Sequence, residues 1–342
     1  MSVKEFLYTI CPVGNASYIS ANKGFLQKGF EKLGVKPIRL QTLPEKEWHV
    51  HYDYESPALF REGGNIPPIW SKSEGREPVL IGIAFLHMKS YILVRIDSNI
   101  DTVEQLRGKR IGIPTRPEFS IDFFAASALH GLKSALVARD VSLADVKVVE
   151  LPATEAEIAT KDNWKSNLGD SAVQALDNGK VDAIFSSGVR AQQLLSTGKY
   201  TAIYEVSANP NLVLPTNNCY PNILTVSKKL ADEAPEIVVE YVKQVILAAE
   251  WAKTNLSGVV ELFSAQLNGS TGDVVKSLPA GFHKRLTPSI TTEGLLALEG
   301  QKRFLLESGY IKKDFDIEKW ADDRFLKAAW KEIEGEKNDE NR

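Results

Sequence analysis

The chain has 342 residues, with 41 Lys plus Arg against 44 Asp plus Glu, a formal net charge of -3, and 43% hydrophobic residues. That balance, with 14 Phe, 10 Tyr and 6 Trp, excludes a disordered chain. It also argues against nucleic acid as a partner, since no Lys/Arg cluster offsets the slightly acidic total. No stretch approaches the ~20 apolar residues of a membrane span, so no membrane partner is expected. Two cysteines, Cys11 and Cys219, cannot build a disulfide framework and fit a reducing compartment. The opening MSVKEFLYTICPVGN lacks a basic n-region and an apolar h-region. The expectation is a cytoplasmic monomer of about two domains.

Short strand-like runs alternate with longer helical runs, the α/β signature. Residues 6–10 read as a first strand and 17–33 as one helix ended by Gly34. Residues 37–40 read as a second strand, 48–52 as a short extended piece, and 79–84 and 90–96 as buried strands. Residues 110–113 follow as a strand. Residues 119–130 and 132–138 are helical, 146–151 a strand, 171–178 a helix of 3.6 periodicity, 181–185 a strand, and 200–206 leads back. From Ala231 the chain is mainly helical, over 235–256, 258–267, 291–308 and 317–333. Residues 98–204 then form a lobe inserted into one made from 1–97 and 205–342, with crossings near Arg95–Asp97 and Ala202–Val206. A ligand is expected in the cleft, beyond the carboxyl ends of the strands.

Cys11 stands in a loop between a predicted strand and a helix, where helix-start amides favour a thiolate. The plain alternative is a buried structural cysteine. In HVHYDYESPALFREGGNIPP, an extended 48–52 puts His49 and His51 on one face. Arg61 offers a planar fork for a two-oxygen anion, and Gly63-Gly64 permits close approach of the backbone to a ligand. His51 is suited to orient or protonate a thiol. The plain alternative here is a surface histidine and a salt-bridged arginine. A metal held by Cys11, His49 and His51 lacks further ligands at suitable spacing, so no metal is expected. His87, His130 and His283 read as structural or solvated, and Cys219 as a bystander in a polar turn. No phosphate loop, GxSxG or HExxH is present.

The runs LIGIAFLHMKSYILVRIDSNIDTVEQLRGKRIGIP, AVQALDNGKVDAIFSSGVRAQQL and SKKLADEAPEIVVEYVKQVILAAEWAKTN resemble the two-lobed substrate-binding proteins of nitrate, sulfonate and taurine transport, over most of residues 79–257. That resemblance implies an α/β, periplasmic binding protein type II-like fold with a cleft between lobes. A more specific resemblance lies in the first ~75 and last ~75 residues. CPVGNASYISANKGFL, HYDYESPALFREGGNIPP with Ser73–Gly75 after it, GSTGDVVKSLPAGFHKRLTP and GLLALEGQKRFLLESGYIKKDFDIEKWADDRFL resemble the 2'-hydroxybiphenyl-2-sulfinate desulfinase family.

The resemblance implies an essential cysteine at Cys11, an active-site histidine at His51, and a sulfinate held by Arg61 and the backbone of Gly64, beside Gly63. It puts Tyr54 just behind the site and Ser56 where the family has glutamine; Gly14 replaces a proline. It implies hydrolysis of an aromatic sulfinate to the arene and sulfite with no cofactor, Cys11 acting on sulfur or as proton donor. The polar segment 154–170 is expected to be a lid, with Trp164 available to pack on an aromatic ring. The rival expectation is a transport receptor for a sulfonate-type anion. A module for a pyrimidine-type precursor ranks third.

Overall fold

The computed structural model describes residues 3–154 and 170–340. The expected lid and Trp164 therefore fall outside the described residues, apart from Thr154 and Asp170 at the segment's ends. Two five-stranded sheets organise the chain. In order, the first elements are β1 (Glu5–Ile10), α1 (Ala16–Asn22), α2 (Phe25–Glu31), β2 (Lys36–Arg39), α3 (Val50–Asp53), β3 (Leu59–Gly63), α4 (Ile66–Ser73) and β4 (Pro78–Ala84). The chain then crosses to β5 (Ser90–Arg95), β6 (Arg110–Thr115), α5 (Phe123–Val137), β7 (Lys147–Pro152), α6 (Asp170–Asp177), β8 (Ala183–Ser187), α7 (Gly188–Ser196) and β9 (Tyr200–Glu205). It returns through β10 (Asn222–Ser227) and a helical tail: α8 (Lys228–Glu233), α9 (Pro235–Thr254), α10 (Leu256–Leu267), α11 (Thr271–Ser277), α12 (Thr292–Glu307), α13 (Ile317–Trp320) and α14 (Arg324–Glu340).

The first sheet has the order β2-β1-β3-β10-β4, and the second β7-β6-β8-β5-β9. In the first, β1 runs parallel to both β2 and β3, while β10 is antiparallel to β3 and β4. The second mirrors this plan, with β5 antiparallel to β8 and β9. Because β5 pairs there, residues 90–95 belong to the second sheet, although the expected lobe boundary at 97 assigns them to the first. The forward crossing thus lies between Ala84 and Ser90 rather than at Arg95–Asp97.

Other expectations shift for local reasons. The helix expected over 17–33 is broken at Gly24, whose φ of 80° is left-handed and leaves the right-handed helical range. The helices expected over 119–130 and 132–138 are one, α5, opened by the Asp122 side chain accepting the Ala125 N–H. Residues 48–52, expected to be extended, instead lead into α3, so His49 and His51 do not share a strand face. Two strands absent from the sequence reading, β3 and β10, lie at the centre of the first sheet. They are buried along their whole length.

The largest core cluster lies between the first sheet and helices α1, α2, α9, α10 and α14. Phe60 on β3 stacks on Tyr241 of α9, with centroids 3.9 Å apart and rings 3° from parallel. Burying a side chain of this size contributes about 1.5–3 kcal/mol, and the ring pair about 0.5–1.5 kcal/mol more. This packing fixes β3 against the helical layer, and β3 carries the site described next.

Candidate active site

The site is assembled by strand register. Thr9 of β1 and Thr225 of β10 both stand opposite Arg61 on β3. The Thr225 hydroxyl donates to the Arg61 carbonyl at 3.2 Å. Cys11 follows the carboxyl end of β1, and its N–H donates to the Glu62 carbonyl at 2.9 Å. The one-turn helix α3 delivers His51 over this edge.

Three of the residues singled out in the sequence meet here. Arg61 Nη2 donates to Cys11 Sγ at 3.3 Å, and Arg61 Nε donates to His51 Nε2 at 3.3 Å. Cys11 Sγ and His51 Nε2 lie 3.5 Å apart. Since Nε2 accepts from the arginine, the ring proton belongs on Nδ1, which lies 2.8 Å from Thr9 Oγ1. The same threonine oxygen accepts from Gln41 Nε2 at 2.8 Å. Burial, and then the charge of Arg61, hold the His51 pKa well below its ordinary value, so the imidazole is neutral. Arg61 is 1% exposed, and Nη1 donates to the Gly64 carbonyl at 2.7 Å.

A cavity of about 450 Å3 opens on this group. One wall carries Cys11, His51 and Arg61. The other carries Phe119, Phe123, Phe124, Ile184 and Phe185, from the loop before α5, from α5 itself and from β8. Tyr52 bridges the two, its ring meeting that of His51 at 4.9 Å and that of Phe123 at 6.4 Å. These aromatic residues were not singled out in the sequence. Their spacing reads as ordinary helix core, and only the crossing between sheets turns them toward the thiol.

The remaining candidates are placed differently. Gly63, Gly64, Tyr54 and Ser56 are not among the residues lining the cavity. Gly63 makes room for the thiol: a Cβ there would stand 2.3 Å from Cys11 Sγ. Gly64 offers its carbonyl to Arg61, and a Cβ on it would meet the Asn218 side chain at 2.5 Å. Tyr54 lies buried behind Arg61, its hydroxyl bonded to Thr225; burial pushes its pKa up to about 12. Ser56 is in the turn before β3, 3.4 Å from the Ala58 N–H it accepts. His49, set apart from His51 by the helix, pairs with Asp53 at 2.7 Å, a bond that raises its pKa. Cys219 does sit in a turn, between the bridged Asn217 and Tyr220, but it is no bystander: it lines the cavity, and burial, reinforced by Cys11, pushes its thiol up to about 12. His130 is structural: it bonds Gln301 at 2.8 Å and stacks on Phe304 at 4.0 Å.

A buried thiol flanked by a neutral imidazole acceptor and a guanidinium, facing an aromatic wall, is a chemistry for anionic aromatic ligands. Known proteins resemble the chain as a whole. It is 30% identical, over 93% of its own length and 92% of the relative's, to 2'-hydroxybiphenyl-2-sulfinate desulfinase of Rhodococcus erythropolis. Among solved structures, a cysteine-to-serine mutant of DSZB in complex with biphenyl-2-sulfinic acid matches with a TM-score of 0.78 at 26% identity, covering 96% of this chain and 100% of that one. A periplasmic sulfonate-binding protein, SsuA of Methylobacillus flagellatus, matches with a TM-score of 0.74 at 15% identity, covering 97% and 96%, which shows a shared fold. No family model matches the chain.

Proposed function

This chain belongs to the 2'-hydroxybiphenyl-2-sulfinate desulfinase family, and on that premise we propose that it hydrolyses an aromatic sulfinate to the arene and bisulfite through Cys11, His51 and Arg61. The observation that carries the proposal is the convergence of those three side chains within 3.5 Å of one another on the wall of a cavity that also carries aromatic rings. The overall reaction is ArSO2⁻ + H2O → ArH + HSO3⁻. It requires a proton at the ring carbon, an oxygen at sulfur, and neutralisation of the anion.

Arg61 supplies the last of these, since a buried guanidinium matches a two-oxygen anion in charge and shape. The aromatic wall takes the ring system and keeps bulk water away from the C–S bond. Cys11 serves the bond itself, and two balanced routes are open to it. In one, sulfur bonds to sulfur as the thiol proton passes to the ring carbon, leaving Cys–S–SO2⁻, which water converts to the free thiol and bisulfite. In the other, the thiol gives its proton to the ring carbon, sulfur dioxide departs, and hydration of sulfur dioxide returns a proton to the thiolate. His51 Nε2, an acceptor facing the sulfur, relays the proton in both. Rapid acid quench followed by intact mass spectrometry separates them, because only the first adds the mass of sulfur dioxide to the chain.

The test of the function is sulfite release from biphenyl-2-sulfinate. Turnover that is lost in Cys11→Ser while binding persists supports the proposal. Tight binding with no turnover by the unaltered protein overturns it in favour of an anion receptor, the reading that the sulfonate-binding fold suggests.

A further inference from the structure

Glu62 follows Arg61 on β3, so it points to the opposite face of the sheet, toward α1 and α9. It is 1% exposed. Its peptide carbonyl accepts the Cys11 N–H at 2.9 Å, and its carboxylate accepts the Ser17 N–H at 2.7 Å. The Ser17 hydroxyl and the Ala16 N–H also lie near the carboxylate and favour its anion. One residue therefore grips both ends of residues 11–17, the segment that carries the thiol. The start of that segment is also held at the Cys11 carbonyl, which accepts from Gln266 Nε2 at 2.9 Å, the Val13 N–H at 2.9 Å and Asn15 Nδ2 at 3.2 Å, and at Cys11 Sγ, which accepts from Arg61 Nη2 at 3.3 Å.

We propose that Glu62 is a positioning residue for desulfination: its buried carboxylate, as the anion, fixes residues 11–17 and so sets the distance from Cys11 Sγ to His51 and Arg61. The inference rests on the desulfinase reading and deepens it. A carboxylate anion accepts all of these donors at once. A carboxylic acid gives up acceptor capacity and needs a partner for its own proton.

Burial raises the Glu62 pKa to about 7, against the lowering effect of its bonds from Ser17 and Ala16, so both forms are populated near neutral pH. The titratable group facing it from the packed elements is Tyr241 of α9, which in turn faces Tyr8 of β1; burial raises both phenols, and neither ionises near neutrality. On the cavity face, burial and the neighbouring Arg61 guanidinium hold His51 neutral. Stability supplies a readout of opposite sign. The folded-state pKa is raised above the unfolded one, so Glu62 costs stability as pH rises from about 4.5 to about 7. An amide at this position avoids that cost.

The experiment follows sulfite release from biphenyl-2-sulfinate, thermal unfolding, and iodoacetamide alkylation of Cys11 located by peptide mass, each across pH 5.5–8.5. The expected kcat of the unaltered enzyme rises through pH ~7. Glu62→Gln is expected to lower kcat about ten-fold at pH ~8 with KM nearly unchanged, to flatten that rise, and to raise Tm at the same pH. Glu62→Asp, which keeps the charge, is expected to restore the rise in part. An unchanged pH profile in Glu62→Gln overturns the proposal, as does a fall in kcat that merely tracks a fall in Tm. If Glu62→Gln does not fold, an Asp variant whose kcat at pH ~8 equals the unaltered enzyme's overturns it, since a carboxylate one methylene shorter cannot hold residues 11–17 in the same place. If the unaltered protein releases no sulfite, the desulfinase reading fails. Cys11 alkylation then decides on Glu62 alone, since the inflection near pH 7 must be absent from the Gln variant.

Discussion

The two walls of the cavity are built by opposite means. The wall from the first sheet is polar, and each of its functional atoms is fixed by at least one hydrogen bond: Arg61 to His51, Gly64 and Cys11, and His51 to Thr9. The wall from the second is apolar, with Phe119, Phe123 and Phe124 in mutual contact at 4.1–5.7 Å. Hydrogen bonds fix direction, whereas ring contacts constrain volume and leave orientation adaptable. The difference divides the labour. On the proposed function, chemistry at the anion falls to a wall that tolerates almost no displacement, and recognition of the organic group to one that tolerates repacking.

Substitutions on the two walls break or sharpen this division. The largest effect is expected from Cys11→Ser, which should cut kcat by at least about 10³-fold while Kd for biphenyl-2-sulfinate stays within a few-fold; equilibrium titration with a sulfite assay checks it. Arg61→Ala should weaken binding of the anion by about 2–5 kcal/mol, read by calorimetry, and unchanged affinity would place the anion elsewhere. Gly63→Ala forces a methyl to within 2.3 Å of the sulfur. It should lower kcat by about 10²-fold with a smaller change in KM, since displacement of about 1 Å at a reacting group costs that much.

On the other wall, Phe123→Ala should raise KM for biphenyl-2-sulfinate by about ten-fold while largely sparing kcat, as truncated apolar contacts do. A kcat loss equal to that of Gly63→Ala would erase the distinction. The smallest effect concerns acid. His51, with its folded-state pKa depressed by burial, resists protonation that the unfolded chain accepts. Its contribution to stability should therefore be lost as pH drops below about 6.5, against the opposite slope of Glu62. His87 and His130, both depressed to about 4, act in the same window, so His51→Asn should remove only part of the slope in Tm.

The polar wall was more legible in the sequence than its scaffold. Cys11, His51 and Arg61 are chemically conspicuous, and the family resemblance assigns their roles. Their support was not visible. β3 reads LFREG, and a charged pair followed by glycine masks a strand that is in fact wholly buried. A buried ion on a strand breaks the hydrophobic pattern on which strand assignment rests. His51 was assigned to an extended piece because four helical residues are too few to declare a period. The recognition wall was hidden for another reason. Phe119, Phe123 and Phe124 lie more than 100 residues from Cys11 in the chain, and helical spacing alone assigns such residues to core. Glu62 drew no notice because its task is to hold a neighbour's backbone, which has no signature of residue type.

The alignment of Thr9, Arg61 and Thr225 across three adjacent strands has a consequence for how such an enzyme diversifies. Side chains alternate faces with every residue, so inserting or deleting one position within β3 would swing the guanidinium into the helical layer and bring Glu62 around to the thiol, and the same change within β1 or β10 would turn Thr9 or Thr225 away from Arg61. Exchange of residue identity is open to these strands, but change of length is not. Indel variation among descendants of this chain, or in a library built from it, is therefore confined to the connections, and the aromatic side is where new substrates would be won.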